Sequence, residues 1–272
     1  MEKVVVKLGG SVITYKGVKK FPLTLEEIKR NFEKYARIST IKRLAKEIYE
    51  ANNFPLIVVN GAGPFGHYLV VKQDELEKKE IIHESVALLN DYLVSVFKSF
   101  GIKAKSYAPF DYCKYLGNGE FEGIEKIYEE GLEVLKNGGI LSTYGDIVPT
   151  AEGIKGNCGN FQVISGDDLM IRLGELWEAE KIINVVDVEG IYTQDPKKNK
   201  NAKLVKIFRE SDAIKFESIE GFDVSGAMGS KVRKLLSVVK KGLKAQIISG
   251  FKKDNLKKAL RGDENIGSLI LP

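Results

Sequence analysis

The stretch VVNGAGPFGHYLV at residues 58–70 decides how the rest of the chain is interpreted. Its β-branched run predicts a buried strand, and the small residues from Asn60 to Gly63 predict a tight turn. Pro64 suits the first position of a helix, because its missing N–H would have no intrahelical partner there. His67 then falls in the first helical turn, where exposed amides and the helix dipole favour an anion. This order predicts a parallel α/β fold, with His67 as either an anion ligand or a satisfied structural residue.

Composition limits the classes of protein to consider. A chain of 272 residues with 43% hydrophobic content can bury a full core as one α/β domain or two fused lobes. The net charge of +5 comes from scattered lysines, whereas a nucleic-acid groove concentrates basic and aromatic residues. Cys113 and Cys158 are too few for a disulfide scaffold and lack zinc spacing. Without a leader or an apolar window of about 20 residues, the expectation is a cytoplasmic protein with no membrane partner.

Short β-branched runs alternate with segments of helical spacing along the chain. This alternation predicts a three-layer αβα sandwich, in which helices cover both faces of a mainly parallel sheet. The predicted strands are residues 4–8, 55–59, 103–107, 139–143, 181–186 and 245–249. Apolar residues at helical spacing occur in residues 41–49, 86–100 and 232–243.

Two segments depart from this alternation. Thr24 followed by Glu27 predicts a capping box and a helix over residues 25–35. Glycines and alternating residues at 146–163 predict β-hairpins, at a sheet edge or as a lid over a site. Because both halves have strand-to-glycine turns, a change of lobe is expected near Ser165, within one domain spanning residues 1–272.

The first predicted strand also ends in a glycine turn, KLGGSVITYK at residues 7–16. Gly9 and Gly10 would let backbone N–H groups converge on an anion, and Lys7 and Lys16 would add positive charge. The spacing is not that of a Walker A loop. The turn therefore indicates either a phosphate site or only a tight connection.

Paired acids begin another predicted helix, in ISGDDL at residues 164–169. Ser165 is a candidate N-cap, and Asp167 and Asp168 complement the helix dipole in the first turn. Capping alone explains these acids. Holding lysine ammonium groups in position is a second role that capping does not exclude.

Two later stretches complete a pattern of five. They are NVVDVEGIYTQDP at residues 184–196 and DVSGAMGSKVRKL at residues 223–235. In this order and spacing, from Lys7 to Lys231, the five stretches resemble the amino acid kinase superfamily. Within that superfamily they look most like the isopentenyl phosphate kinases.

The resemblance implies an acceptor-binding lobe over about residues 1–164 and an ATP-binding lobe over about residues 165–272. His67 would hydrogen-bond the acceptor's phosphate and Asp167 would organise the lysines. The implied catalytic residues are Lys7, Lys16, His67, Asp167 and Lys231. The implied acceptor site is Gly61, Ala62, Gly66, His67 and Gly166. The implied nucleotide site is Lys7, Gly9, Gly10, Ser11, Gly63, Asp187, Gly190, Tyr192, Pro196, Ala227 and Lys231.

The chain departs from the family pattern in both glycine-rich turns. Ala62 stands in a run where the family usually has three glycines, and Ala227 follows Ser225 and Gly226 where the family usually has Thr-Gly-Gly-Met. A positive φ would strain alanine by about 1 kcal/mol or more, so ordinary backbone angles are expected at both positions. Pro64 also removes one amide from the turn. These changes leave the identity of the acceptor open.

The implied reaction is ATP- and Mg²⁺-dependent phosphorylation of a small phosphate monoester. Isopentenyl phosphate would become isopentenyl diphosphate, for isoprenoid biosynthesis by an archaeal homodimer. A phosphate monoester is largely a dianion at neutral pH, so no protein base is needed. No metal site made of protein side chains is predicted.

Two other functions stay open. One is a kinase of the same branch for another phosphate or phosphonate, such as a fosfomycin kinase or a kinase of an archaeal cofactor pathway. The other is a nucleotide-binding storage or sensor protein without turnover. Six residues line either an apolar acceptor-tail pocket or simply the core: Tyr68, Val86, Leu93, Phe97, Tyr107 and Phe110.

Overall fold

A computed structural model describes residues 2–209, 211–212 and 227–271, excluding the side chain of Ala227. The strands are β1 (Val4–Leu8), β2 (Leu56–Asn60), β3 (Ala104–Ser106), β4 (Lys114–Gly117), β5 (Glu120–Glu122), β6 (Ile140–Tyr144), β7 (Asp146–Pro149), β8 (Phe161–Ile164), β9 (Lys181–Val186), β10 (Ile191–Tyr192), β11 (Leu204–Val205), β12 (Ile207–Arg209), β13 (Lys244–Ser249) and β14 (Ser268–Leu271). The α-helices are α1 (Gly10–Ile13), α2 (Leu25–Arg30), α3 (Phe32–Tyr35), α4 (Ile38–Ala51), α5 (Pro64–Val71), α6 (Ile81–Ser99), α7 (Pro109–Tyr112), α8 (Ile124–Lys136), α9 (Gly166–Leu176), α10 (Ala227–Val239) and α11 (Asn255–Leu260).

The central sheet has the strand order β12-β14-β13-β9-β1-β2-β6-β3 in the described chain. Its neighbours run parallel except β13 and β14, which are antiparallel. β1 lies between β2 and β9. Its five residues are all buried, as expected for a strand that is covered on both faces of the sheet. All six predicted strands therefore lie in this sheet, and the mainly parallel αβα prediction is confirmed.

Alternate residues of β1 enter different hydrophobic clusters. Val4 and Val6 pack in one cluster with α4 and α6, whereas Val5 packs in the other with α9 and α10. The side-chain period of two in a strand produces this division. Lys7 shares the face of Val5, which directs its side chain towards α9.

The predicted helix over residues 25–35 is wrong at its centre. The Thr24 hydroxyl accepts from the Glu27 N–H at 3.4 Å and caps α2 as predicted. Asn31 then ends α2, and its side-chain amide donates to the Glu27 carbonyl at 2.8 Å. The Asn31 N–H also donates to this carbonyl at 3.0 Å, but its φ of −107° and ψ of 15° leave the helical range, so a separate short helix, α3, follows.

The other segments agree with the sequence patterns apart from their ends. β7 and β8 form the hairpin predicted within residues 146–163. α10 ends at Val239, and Gly242, with φ of 98°, turns the chain into β13, so Leu243 lies beyond the helix. No helix in the described part of the chain is long and apolar enough to cross a membrane.

Candidate active site

The predicted site residues gather at the carboxyl ends of neighbouring parallel strands. Gly9 follows β1, Gly61 follows β2 and Asp187 follows β9. In an open parallel sheet this edge is the usual position of a ligand crevice. A cavity of about 810 Å³ lies here, and it is lined by residues from both halves of the chain.

The two glycine turns pack directly against each other. A Cβ added to Gly10 would meet the Gly63 nitrogen at 2.5 Å, and one added to Gly61 would meet the Gly10 nitrogen at 2.5 Å. Gly63 also has φ of 54°, which disfavours any other residue. The Gly9 N–H donates to the Val185 carbonyl at 2.9 Å, so this amide is already satisfied by the sheet. The close approach of the two turns is thus a reason for their glycines, in addition to the convergence of backbone N–H groups on an anion.

Asp167 lies between two lysine side chains. Lys7 Nζ is 2.5 Å from Asp167 Oδ1, and Lys231 Nζ is 2.7 Å from Asp167 Oδ2. Burial would raise the pKa of Asp167, but the two ammonium groups hold it well below its usual range. Burial and the charge of Lys231 lower the pKa of Lys7 to about 7, against the effect of Asp167. The cluster brings a lysine of β1 and a lysine of α10 to one carboxylate of α9.

Lys16 contacts a different carboxylate from the one that holds Lys7. Lys16 Nζ lies 2.9 Å from Asp187 Oδ2, and Lys197 Nζ lies 2.8 Å from the same oxygen. Ser11 donates its hydroxyl to Asp187 Oδ1 at 3.2 Å. Burial would raise the pKa of Asp187, but the two lysines lower it. Sequence patterns single out Asp187 and miss Lys197, whose only signal is its place after Pro196.

The two adjacent acids of α9 have different partners. The Ser165 hydroxyl accepts from the Asp168 N–H at 3.2 Å, as the predicted N-cap does. Lys234 Nζ lies 2.5 Å from Asp168 Oδ1 in a partly exposed pair. Asp167 instead points towards the lysines, and the buried Asn184 donates to it at 3.4 Å. Helix capping therefore explains Asp168 but not the contacts of Asp167.

His67 lies in α5 and is exposed to the cavity. The backbone N–H of His67 donates to the Gly63 carbonyl at 2.9 Å, which places His67 at the end of the first turn of α5. Partial burial, with the charges of Lys7 and Lys231, lowers the pKa of His67. The imidazole is therefore neutral at neutral pH, and it can donate one hydrogen bond to an anion in the cavity.

Ala62 adopts an ordinary backbone conformation. In the described chain, positive φ at non-glycine residues occurs at Asn52, Asn118, Glu178 and Asp254. Ala62 packs against α5, where a Cβ added to Gly66 would meet the Ala62 Cβ at 2.6 Å and a Val86 methyl at 3.1 Å. Gly66 thus allows α5 to approach both Ala62 and α6.

The apolar lining of the cavity differs from the predicted tail pocket. Of the six candidates, Tyr68 and Val86 line the cavity. Leu93 and Phe97 are fully buried in the core, because they lie on later turns of α6 that pack against one face of the central sheet. The hairpin supplies lining residues that sequence patterns miss, and the apolar lining includes Val70, Ile82, Ile147 and Val163.

The predicted nucleotide residues also border the cavity where they are described. Asp187, Gly190, Tyr192 and Pro196 line it beside Lys231. Gly166 lines it too, and a Cβ there would meet Lys7 Cε at 3.4 Å. Ala227 is the first residue of α10, whereas Ser225 and Gly226 lie outside the described residues.

Facing glycine turns and converging lysines at the carboxyl edge of an αβα fold are suited to binding phosphorylated small molecules. The amino acid kinase family matches residues 2–249, and the chain belongs to that family. It is 29% identical to the isopentenyl phosphate kinase of Methanothermobacter thermautotrophicus, over 98% of each chain. It is 26% identical to the uridylate kinase of Methanobrevibacter smithii, over 99% of each chain. A solved structure of isopentenyl phosphate kinase matches with a TM-score of 0.76 at 28% identity, covering 98% of this chain and 99% of that one.

Proposed function

We propose that the protein transfers the γ-phosphoryl group of ATP to a small phosphate monoester, isopentenyl phosphate. The observation that carries this proposal is one cavity bordered by His67, by the Lys7–Asp167–Lys231 cluster and by Lys16. The similarity to isopentenyl phosphate kinases over nearly the whole chain supports it. The cavity falls in the ordinary size range of ligand pockets.

The reaction itself places few demands on the protein. An acceptor phosphate oxygen forms a bond to the γ-phosphorus while the bond from that phosphorus to ADP breaks. The acceptor is largely a dianion at neutral pH and needs no base. The difficulty is that two anions must meet in line, so positioning and charge stabilisation carry the catalysis. Lys7, Lys16 and Lys231 supply the positive charge in this proposal.

ATP and Mg²⁺ are part of the proposal. Asp187, Gly190, Tyr192 and Pro196 would border the nucleotide, and Lys231 would reach its phosphates. Among residues 2–209, 211–212 and 227–271, no cluster of three or more His, Cys, Asp or Glu side chains could hold a metal ion. Mg²⁺ would therefore enter on the nucleotide phosphates, where it neutralises charge, as it commonly does in kinases.

The apolar lining favours an alkyl acceptor over a nucleotide acceptor. Val70, Ile82, Val86, Ile147 and Val163 offer a short hydrocarbon chain burial without hydrogen-bonding demands. A pyrimidine base buried against the same residues would leave its polar groups unpaired, at a cost of about 1–3 kcal/mol for each group. Isopentenyl phosphate is therefore preferred to uridylate as the acceptor.

A coupled assay of ADP release tests the acceptor. The panel is isopentenyl phosphate, uridylate, fosfomycin and a reaction without acceptor. The highest kcat/KM is expected with isopentenyl phosphate. Preference for fosfomycin or uridylate would replace the acceptor and keep the reaction class. No ADP release with any acceptor would contradict the proposal and favour a nucleotide-binding protein without turnover.

The remaining parts of the proposal concern the setting of the enzyme. We propose a cytoplasmic homodimer from an archaeon, with an acceptor-binding lobe to about residue 164 and an ATP-binding lobe from about residue 165. Acceptor and nucleotide are its proposed partners. Sedimentation equilibrium of the purified protein measures the mass and tests the dimer.

A further inference from the structure

His83 and Asp146 form a polar pair beside the apolar part of the cavity. His83 Nδ1 lies 2.8 Å from Asp146 Oδ2, and the Asp146 side chain is fully buried. The second carboxylate oxygen, Oδ1, accepts from the Ile147 N–H at 2.8 Å. Removing the imidazole would therefore leave a buried carboxylate oxygen without this partner.

The pair joins two of the elements that supply apolar lining. His83 belongs to α6, whose residues Ile82 and Val86 line the cavity. Asp146 begins β7, and its neighbour Ile147 lines the cavity opposite Val163 in the hairpin register. The His83–Asp146 hydrogen bond thus links α6 to the hairpin directly, beside the apolar packing between them.

Aromatic rings cover the pair and extend it along the hairpin. The His83 ring stacks on Phe110, with centroids 4.3 Å apart and an interplanar angle of 20°. Phe110 stacks in turn on Phe161, which begins β8, with centroids 5.8 Å apart. Both strands of the hairpin are therefore attached to α6 through the imidazole, one by the carboxylate and one by the stack.

Charge reinforces this contact. Burial opposes protonation of the imidazole, but Asp146, with smaller contributions from Asp111 and Glu84, raises the pKa of His83. A protonated imidazole is a stronger donor to a carboxylate than a neutral one. The hydrogen bond is charge-assisted wherever the imidazole is protonated and Asp146 is ionised, while burial raises the pKa of Asp146 itself.

Resting on the proposed function, we propose that His83 and Asp146 are positioning residues that set the width of the acceptor-tail end of the cavity. In this proposal they act through the position of the hairpin and not on the reacting atoms, although Asp146 itself lines the cavity. Loss of the contact frees the β7–β8 hairpin to move away from α6, so that longer or bulkier tails enter and short tails are held less firmly. The pair thereby determines which alkyl monophosphates are bound well.

Two variants and one control test the pair. His83→Leu removes the hydrogen bond, whereas His83→Gln keeps a donor and loses the charge. Glu84→Gln is the control, because it removes a charge at the next position of the same helix, where Glu84 pairs with the exposed Lys78. Each protein is assayed with linear alkyl monophosphates of five to ten carbons at saturating ATP.

The expected result for His83→Leu is a KM for the five-carbon acceptor raised about tenfold, with kcat changed less than threefold. Its ratio of kcat/KM between ten-carbon and five-carbon acceptors should rise at least tenfold. His83→Gln should recover most of the loss, and Glu84→Gln, whose charge makes only a small contribution to the pKa of His83, should stay within about twofold of the unaltered protein. A general loss of stability would lower the rates with both acceptors alike and leave the ratio of their kcat/KM values unchanged. A ratio in His83→Leu equal to that of the unaltered protein would therefore overturn the proposal.

Hydrogen exchange tests the same pair without any substrate. Amides of β7 and β8 should exchange at least tenfold faster in His83→Leu than in Glu84→Gln, while amides of β1 and β2 exchange equally. Unchanged exchange in the hairpin would overturn the proposal. If none of the monophosphates is phosphorylated, the proposed function fails, and the exchange rates still decide whether the pair holds the hairpin.

Discussion

The ammonium group of Lys7 lies 2.5 Å from the carboxylate of Asp167, with only 6% and 17% of the two side chains exposed. Lys231 reaches the other oxygen of the same carboxylate. When both lysines are protonated, one partly buried anion faces two cations, and the cluster has an excess of positive charge. A phosphate entering the cavity would supply the missing negative charge.

This excess charge predicts proton uptake on binding of ATP. The pKa of Lys7 is lowered to about 7, so the amine is partly deprotonated near pH 7.5 in the ligand-free protein. A phosphate beside it favours the protonated form and raises its pKa. Calorimetry in buffers of different ionisation enthalpy should therefore show net uptake of protons by the unaltered protein. Lys7→Arg should reduce it, because arginine stays charged. Zero proton uptake by the unaltered protein would contradict partial deprotonation of Lys7 in the ligand-free protein.

The same shift predicts how stability depends on pH. The folded protein holds Lys7 with a pKa of about 7, whereas the ordinary value is 10.5. Between these values the unfolded chain binds more protons, so this group makes the free energy of unfolding rise with pH. Chemical denaturation of Lys7→Met at pH 7 and pH 9 should show a smaller increase than denaturation of the unaltered protein. An equal increase would assign the pH dependence to other groups.

Asp167 and Asp168 offer a matched comparison on one helix. Asp167→Asn removes the anion between the buried Lys7 and the partly buried Lys231, and we expect kcat to fall about 100-fold because the lysines lose their fixed positions. Asp168→Asn affects a pair with 35% and 42% of its side chains exposed, so kcat should change less than about threefold. Steady-state rates at saturating ATP and acceptor provide the measurement. Equal losses in the two variants would mean that the acids serve only helix α9.

The fold could be predicted from the sequence because its signals are local. A β-branched run of 4–8 residues predicts a strand without knowledge of its neighbours, and the six runs used here lie in one sheet. Asn31 shows the limit of this reasoning, since its φ of −107° and ψ of 15° end the predicted helix early. The partners in the site depend on register, which the sequence does not reveal. Lys7 faces Asn184 only because β1 and β9 pair in that alignment.

The two histidines illustrate the same limit in the site. His67 was placed by a motif, since it follows a glycine turn at a helix start, and it does face the cavity. His83 follows no glycine turn and belongs to no motif, so the sequence pattern does not single it out. Its partner Asp146 lies 63 positions away and is brought to it by the β6–β7 connection. Contacts of this kind require coordinates.

His67 should govern acceptor binding more than turnover. His67→Ala removes the hydrogen-bond donor in the first turn of α5. Because one hydrogen bond to a charged group is lost, we expect the acceptor KM to rise about 10- to 100-fold. The value of kcat should stay within about threefold. His67→Gln keeps a donor and should recover part of the loss. The KM for ATP serves as the internal control and should not change. An acceptor KM unaffected in His67→Ala would show that the imidazole does not bind the phosphate.

Lys16 and Lys197 share one carboxylate oxygen and are equally exposed, with 59% of each side chain accessible. If Lys16 acts on the transferring phosphoryl group, Lys16→Ala should lower kcat and kcat/KM together, by about 100-fold. Lys197→Ala should lower either constant less than about tenfold, because Asp187 keeps its contacts with Lys16 and Ser11. Similar losses in both variants would indicate that only the total charge on Asp187 matters.

Gly66 gives a test of packing between α5 and the turn before it. The added methyl of Gly66→Ala would lie 2.6 Å from the Ala62 Cβ, so α5 must shift, at a cost of about 1–3 kcal/mol in the free energy of unfolding. The shift would move His67, one residue along, and raise the acceptor KM. Ala62→Gly removes the opposing methyl, so the double variant should recover most of the loss in both measurements. Denaturant unfolding and acceptor kinetics of the two single variants and the double variant form a complete cycle. If the two changes simply add, the methyl of Ala62 is not what limits the approach of α5.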